Sequence, residues 1–236
     1  MNKRKLLDSL IKKNIYEINH IPEKKILEML NKKVVITQRW KHKLNQTDKY
    51  FDKINRMISN LYNKNILEYN IKYSYFKAHK KSNTLKIIVN NDKYSLYFPR
   101  QNKEKKLSII DFFKNIDYIL LYSITIGRKI TAYINKLYKD GKYQKYFYYS
   151  GIASEIVESS ANYLNYSIKN QLNYNDGMFK RYSFGYSSCP DLKEQKKVLS
   201  LLKVNKITLT SSNQLKPEFS TTGFYIFNKD AVYLQI

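Results

Sequence analysis

The apolar pattern of this chain changes character once, near residue 70, and that change most limits what the chain can become. Ahead of it, residues 2–31 read as helix with a break at His20-Ile21-Pro22, and residues 47–69 set Phe51, Ile54, Ile58 and Leu61 on one helical face. Pro22 suits the first turn of a helix, and Glu23 beside it favours the positive end of the aligned peptide dipoles. After residue 70 come short β-branched and aromatic runs at 71–76, 84–89 and 94–98, the last two joined by the turn Asn90-Asn91-Asp92. A helix near 108–114, an apolar strand at 118–124 and a helix over 127–139 follow, the last ended by Asp140-Gly141. Residues 150–170 carry the most amphipathic helix, through Ile152, Ile156, Val157, Ala161, Leu164 and Ile168. Three strand-like runs, 206–210, 221–227 and 231–236, close the chain. Helices and strands come in clusters and not as regular βαβ units, so the predicted class is α+β. No linker marks a boundary, and residues 1–69 read as an N-terminal helical segment of the same domain as 70–236.

Composition removes several alternatives. With 236 residues, 43% of them hydrophobic, the chain can bury a core without covalent staples. Its 43 Lys+Arg against 19 Asp+Glu give a net charge of +24, which raises nucleic-acid binding as a reading. The lysines are spread over almost every segment and form no stripe, however. Lys, Asn, Ile and Tyr are inflated together, as A/T-rich coding alone would do, so nucleic acid stays only a weaker alternative. The single cysteine, Cys189, excludes an internal disulfide and an all-cysteine zinc site. His20, His42 and His79 lie far apart, without Cys, His or acidic neighbours at metal-ligand spacing, and no phosphate loop or dinucleotide-binding glycine turn is present. No apolar run approaches the roughly 20 residues of a membrane-spanning helix, and the basic start is followed by no signal-peptide core. A reduced cytoplasm is the expected setting.

One segment stands apart: Arg181-Tyr182-Ser183-Phe184-Gly185-Tyr186-Ser187-Ser188-Cys189-Pro190-Asp191. Small residues, aromatics and one arginine are compressed ahead of a helix start, where Asp191 and Glu194 have capping-box spacing. Gly185 reads as a site of positive φ or of close backbone approach to a ligand. The stretch between Arg181 and that helix reads as irregular backbone with amides and carbonyls free for a ligand. A tight strand-to-helix connection with a partly buried arginine accounts for the same residues, and both readings stay open on physics alone.

The segment resembles the R-x-x-P-G-Y-x-x-C-P motif of the activation domain of cobalamin-dependent methionine synthase. The resemblance continues in Leu209-Thr210-Ser211-Ser212, Pro217, Ser220, Gly223 and Tyr233, and upstream in Phe98-Pro99-Arg100-Gln101, 107–112, Asp117-Tyr118, 124–127 and Val157-Glu158. It is good from about residue 70 onward and poor before. It implies an activation-domain-like α+β fold with a mixed or antiparallel twisted sheet and flanking helices.

The resemblance also implies a role as a free-standing reactivation subunit of that methyltransferase, acting in trans. Bound S-adenosylmethionine would methylate cobalamin on a partner subunit after a flavodoxin-like donor has reduced it. Carried over residue by residue, Arg181 would hold the ligand carboxylate and Glu158 its ammonium. The backbone at Ser183 would meet the adenine, with Gly185 leaving space, and Tyr186 and Tyr233 would flank the ligand. Phe184 stands where the motif has proline, as an aromatic able to cover the ligand, and Ser211 stands where glutamate is frequent; the family's N-terminal acidic contributor has no counterpart. A degenerate domain kept for docking is therefore a second reading. No histidine here lies in Asp-x-His-x-x-Gly, so the base-off cobalamin site is expected outside these residues.

Overall fold

The computed structural model describes residue 10 and residues 15–32, 47–81, 84–89, 92–99, 116–172, 181–185 and 189–227. In chain order the elements are β1 (Tyr16–Ile18), α1 (Glu23–Lys32), α2 (Thr47–Asn63), β2 (Asn70–Lys81), β3 (Thr84–Val89), β4 (Asp92–Tyr97) and β5 (Tyr118–Thr125). They continue with α3 (Arg128–Lys139), α4 (Tyr143–Leu172), β6 (Arg181–Ser183), a 3-10 turn (Leu192–Glu194), α5 (Gln195–Leu201), β7 (Thr208–Leu209), β8 (Leu215–Lys216) and β9 (Ser220–Phe227). The class is α+β. Among the described residues, seven strands form one antiparallel sheet in the order β4-β3-β2-β5-β9-β6, with β1 beside the first part of β2. The expected helix at 108–114 and strand at 231–236 lie outside the described residues.

All eight residues of β5 are buried, because this central strand is covered on both faces. Side chains alternate across a strand, and the two sets enter two separate cores. Tyr118, Leu120, Tyr122 and Ile124 join Ile71, Tyr73, Tyr75 and Tyr225 under α1 to α4. Ile119 and Leu121 join Phe76, Leu85, Phe224 and Ile226 under Val198 and Leu202 near the end of α5. Small polar links tie the second layer to the sheet. The Thr222 hydroxyl lies 2.7 Å from Gln195 Oε1, while Gln195 Nε2 donates to the Asn213 carbonyl at 2.9 Å.

Several boundaries differ from the sequence reading. Residues 16–18, read as helix, are strand β1, where the Tyr16 ring stacks on Tyr73 with centroids 5.0 Å apart. The pairing with β2 overrides the helical pattern around it. Helix α2 stops at Asn63 and not at residue 69, because Asn65 turns the chain at φ 51. Helix α4 begins seven residues earlier than expected, and β2 extends to Lys81 because β3 pairs with its second half.

The entry to α3 is tight. Gly127 has φ 95 and ψ 179, a region essentially confined to glycine, and a Cβ there would meet Glu68. Glu68 sits over the helix start, with Oε2 3.4 Å from the Lys129 amide and Oε1 3.1 Å from its ammonium. Burial acts to raise the Glu68 pKa, but the bonds to Lys129 outweigh it and hold the group below its ordinary value.

Two outcomes follow. Gly127→Ala should lower unfolding free energy by at least about 2 kcal/mol in urea titrations. A lowered carboxylate pKa contributes stability above the ordinary carboxylate range, and that stability disappears as pH falls through the lowered value. Glu68→Gln should therefore be less stable than the parent at neutral pH and converge on it below about pH 4, read from paired denaturation curves.

Candidate functional site

Strand β6 is three residues long, and its parity decides which side chains meet. Arg181 pairs with Tyr225 and Ser183 with Gly223, and these residues face the helical layer. Tyr182 and Phe184 face the opposite core. There the Tyr182 ring stacks on Phe224 at 5.5 Å, and Phe184 meets the same ring edge-on at 5.4 Å. Phe184, expected as a possible ligand cover, is instead 4% exposed inside that core.

On the helical side Arg181 Nη2 donates to Glu158 Oε2 of α4, joining residues 23 positions apart. The pair is reachable from solvent, with 24% of the arginine side chain and 41% of the glutamate side chain exposed. Arg181 Nη1 is buried, and so is the Tyr122 hydroxyl that reaches toward it from β5; neither has a partner at full hydrogen-bond geometry among the described residues, although Arg181 and Ser183 both lie close enough to act on the hydroxyl. Burial alone would lower the guanidinium pKa, but Tyr122 and Glu158 outweigh it and hold the group raised. Burial pushes the Tyr122 phenol up to about 12, against the opposing pull of Arg181 and Ser183, so the ring stays neutral.

Tyr122, Gly223 and Ser183 form one row across β5, β9 and β6, and Leu120, Tyr225 and Arg181 form the next. A Cβ at Gly223 would overlap the Tyr122 hydroxyl and the Tyr182 carbonyl. Sequence reasoning missed this row. Gly223 was noted only as a family match, and Tyr122 only as part of an apolar strand.

The segment after Arg181 is more ordered than expected. Residues 181–183 are strand and not irregular backbone. Gly185 does take positive φ, at 79°, but its amide is bonded to the Pro190 carbonyl at 2.8 Å. The space a Cβ would need is filled by Leu192 Cδ2, 2.6 Å away. Asp191 caps the 3-10 turn by accepting from the Lys193 amide at 2.9 Å, while Glu194 pairs with Lys197 at 2.7 Å and leaves the expected box half-formed. Ser211 is exposed in the turn between β7 and β8. Tyr186 and Tyr233 lie outside the described residues. The structure thus brings Glu158, Arg181 and Ser183 to one edge of the sheet, with Gly185 just beyond it.

A guanidinium and a carboxylate side by side, both partly reachable from solvent, can take the carboxylate and ammonium of an amino-acid-like ligand. Fold and site define the class: an α+β domain on an antiparallel sheet, with one charged pair at the sheet edge. Over residues 18–236 the sequence matches the activation domain of vitamin B12 dependent methionine synthase, and the chain belongs to that family. The match includes the helices ahead of residue 70, where motif resemblance was poor.

Methionine synthase of Mycobacterium tuberculosis (strain ATCC 25618 / H37Rv) is 27% identical, covering 70% of this chain and 17% of that protein. The Mycobacterium leprae (strain TN) enzyme is 27% identical over 70% of the chain and 16% of its own length. The chain thus spans about one sixth of these curated relatives. A crystal structure of the MetH reactivation domain bound to AdoHcy shares the fold, with a TM-score of 0.75 at 18% identity, covering 94% of this chain and 80% of that one.

Cys189, beside the site, is buried in the second core; burial raises its thiol pKa, partly offset by a hydrogen bond from the Ser183 backbone. A raised pKa and low exposure both suppress thiolate chemistry. In the folded protein Cys189 should react with a thiol reagent at pH 8 at least about 100-fold more slowly than in denaturant, as followed by absorbance.

Proposed function

We propose that this chain binds S-adenosylmethionine and serves as the reactivation component of a cobalamin-dependent methionine synthase, acting in trans on a cobalamin-binding subunit. The observation that carries the reading is the meeting of Arg181 and Glu158, from two distant elements, at a solvent-reachable sheet edge. These are the two side chains expected from the resemblance to take the ligand's carboxylate and ammonium. The family match and the solved relative support this reading, since that reactivation domain was crystallised with AdoHcy.

In this reading Arg181 turns its donors to the ligand carboxylate and Glu158 accepts from the ligand ammonium. One protein ion pair is exchanged for two protein–ligand contacts. The guanidinium is already largely out of water before a ligand arrives, so the exchange adds little desolvation on its side, and charge-assisted bonds replace a single pair. Ser183 and Gly185 border the adenosyl end, and Tyr186 and Tyr233 flank it; an aromatic face beside a sulfonium is favourable. When bound, S-adenosylmethionine supplies a methyl cation equivalent to a cobalamin already reduced by one electron from a flavodoxin-like donor. The cobalamin itself is held outside these residues, since none of the three histidines lies in the expected motif.

A basic cavity of about 530 Å³ supports docking of an acidic donor. Lys53, Lys64, Lys136, Lys142 and Lys145 line it between α2, α3 and the start of α4, and Asp140 is its one carboxylate among the described residues. Tyr138, Tyr143 and Phe147 stand exposed on the same α3–α4 corner, as aromatic anchors of protein interfaces do.

Calorimetry of the full chain with S-adenosylhomocysteine tests the assignment. Saturable heat is expected, and Arg181→Ala should weaken affinity at least about 10-fold, the loss of charged hydrogen bonds. No heat at millimolar ligand would sink the proposal, and undiminished affinity in the variant would leave a docking role.

A further inference from the structure

Two polar atoms beneath the charged pair have no place in the ligand contacts just described. Arg181 Nη1 and the Tyr122 hydroxyl are both buried and neither has a partner at full hydrogen-bond geometry among the described residues, yet the hydroxyl lies close enough to Arg181 and Ser183 for both to act on it as hydrogen-bond partners. A buried N–H without an acceptor is costly, so an arginine at a sheet edge would ordinarily swing that nitrogen out to water. Three features hold it in. Nη2 is tied to Glu158 on α4. The Tyr122 ring is wholly buried, with its centroid 5.6 Å from that of Tyr225, and cannot withdraw. Gly223, lying between Tyr122 and Ser183 in one row of the sheet, leaves open the space through which the hydroxyl reaches past β9 toward β6.

A phenol can accept and donate at once. It can accept a hydrogen bond from Nη1 while donating one to the Ser183 hydroxyl in the same row, a polar line running across three strands. The atoms are buried to less than solvent contact, so a ligand cannot touch them in this arrangement. Tyr122 therefore acts through the arginine.

Resting on the reading that Arg181 holds the ligand carboxylate, we propose that Tyr122 is a positioning residue: its hydroxyl, admitted by Gly223, fixes the plane of the Arg181 guanidinium so that the remaining donors face the sheet edge. Selectivity for a carboxylate-bearing nucleoside then depends on a side chain two strands away from the ligand. Tyr122→Phe keeps the ring and its packing and removes only the hydroxyl, so it separates positioning from folding.

The test has two arms on the full chain. In the first, ¹⁵N-arginine NMR, with Arg181 assigned by its loss in Arg181→Ala, reads guanidinium rotation. Resolved, slowly exchanging Nη signals are expected in the parent and averaged signals in Tyr122→Phe. Identical spectra would overturn the proposal whatever the ligand does.

In the second, calorimetry compares S-adenosylhomocysteine with 5′-methylthioadenosine, which lacks the amino-acid carboxylate. Tyr122→Phe should weaken the first by about 5- to 30-fold, the equivalent of one unsatisfied buried donor, and leave the second unchanged. Equal loss for both ligands, or none for either, would overturn it. If the parent binds neither nucleoside, the ligand assignment fails by itself, and the NMR arm still decides whether Tyr122 orients Arg181. Tyr122→Phe combined with Arg181→Ala should cost no more than Arg181→Ala alone, since the tyrosine has nothing left to orient.

Discussion

Everything at the candidate site depends on side-chain alternation across a three-residue edge strand. Successive residues of β6 point to opposite faces of a sheet whose two faces are both covered. Arg181 and Ser183 are thereby committed to the helical side, where α4 brings Glu158. Tyr182, with Phe184 just past the strand, is committed to the aromatic packing around Phe224. A slip of one residue would bury a guanidinium among phenyl rings and expose two aromatics. The aromatic packing is thus what holds the charged pair in place: rings stacked on Phe224 make any other register expensive.

Much of the architecture was legible. The clustering of patterns pointed to α+β, and the strands at 84–89, 118–124 and 221–227 and the helix at 127–139 fall within a few residues of their observed places. Local patterns failed where a distant partner decides the outcome. Tyr16 and Ile18 sit inside a helical pattern but pair with Tyr73 and Ile71, more than fifty residues away. Residues 181–183 look like loop because the segment is rich in small residues, and only β9 makes them a strand. Phe184 read as a possible ligand cover because a sequence does not say which face of a sheet a residue will take. The Arg181–Glu158 meeting could be expected only through the resemblance, since nothing local links positions 23 apart.

The large positive charge divides into parts with different physics. Lysines such as Lys25 and Lys129 pair with carboxylates on the surface, where each contact contributes little. The lysines of the α2–α3–α4 cavity share a single carboxylate and so create a local field of one sign. Two of that cavity's lysines also rest over tyrosine rings, Lys53 at 4.5 Å from Tyr148 and Lys64 at 5.5 Å from Tyr133. Abundant lysine and abundant tyrosine are thus partly one feature, with aromatic faces spacing ammonium groups that would otherwise repel.

Gly223 and Tyr122 occupy what is in effect a single volume divided between two neighbouring strands. The Tyr182 carbonyl of β6 closes the same space from the other side, so shrinking the tyrosine would not by itself admit a side chain at position 223. The glycine is held bare from two directions, by a phenol of β5 and by a main-chain oxygen of β6. The passage of the hydroxyl toward the arginine is therefore as rigid as the strand pairing that frames it.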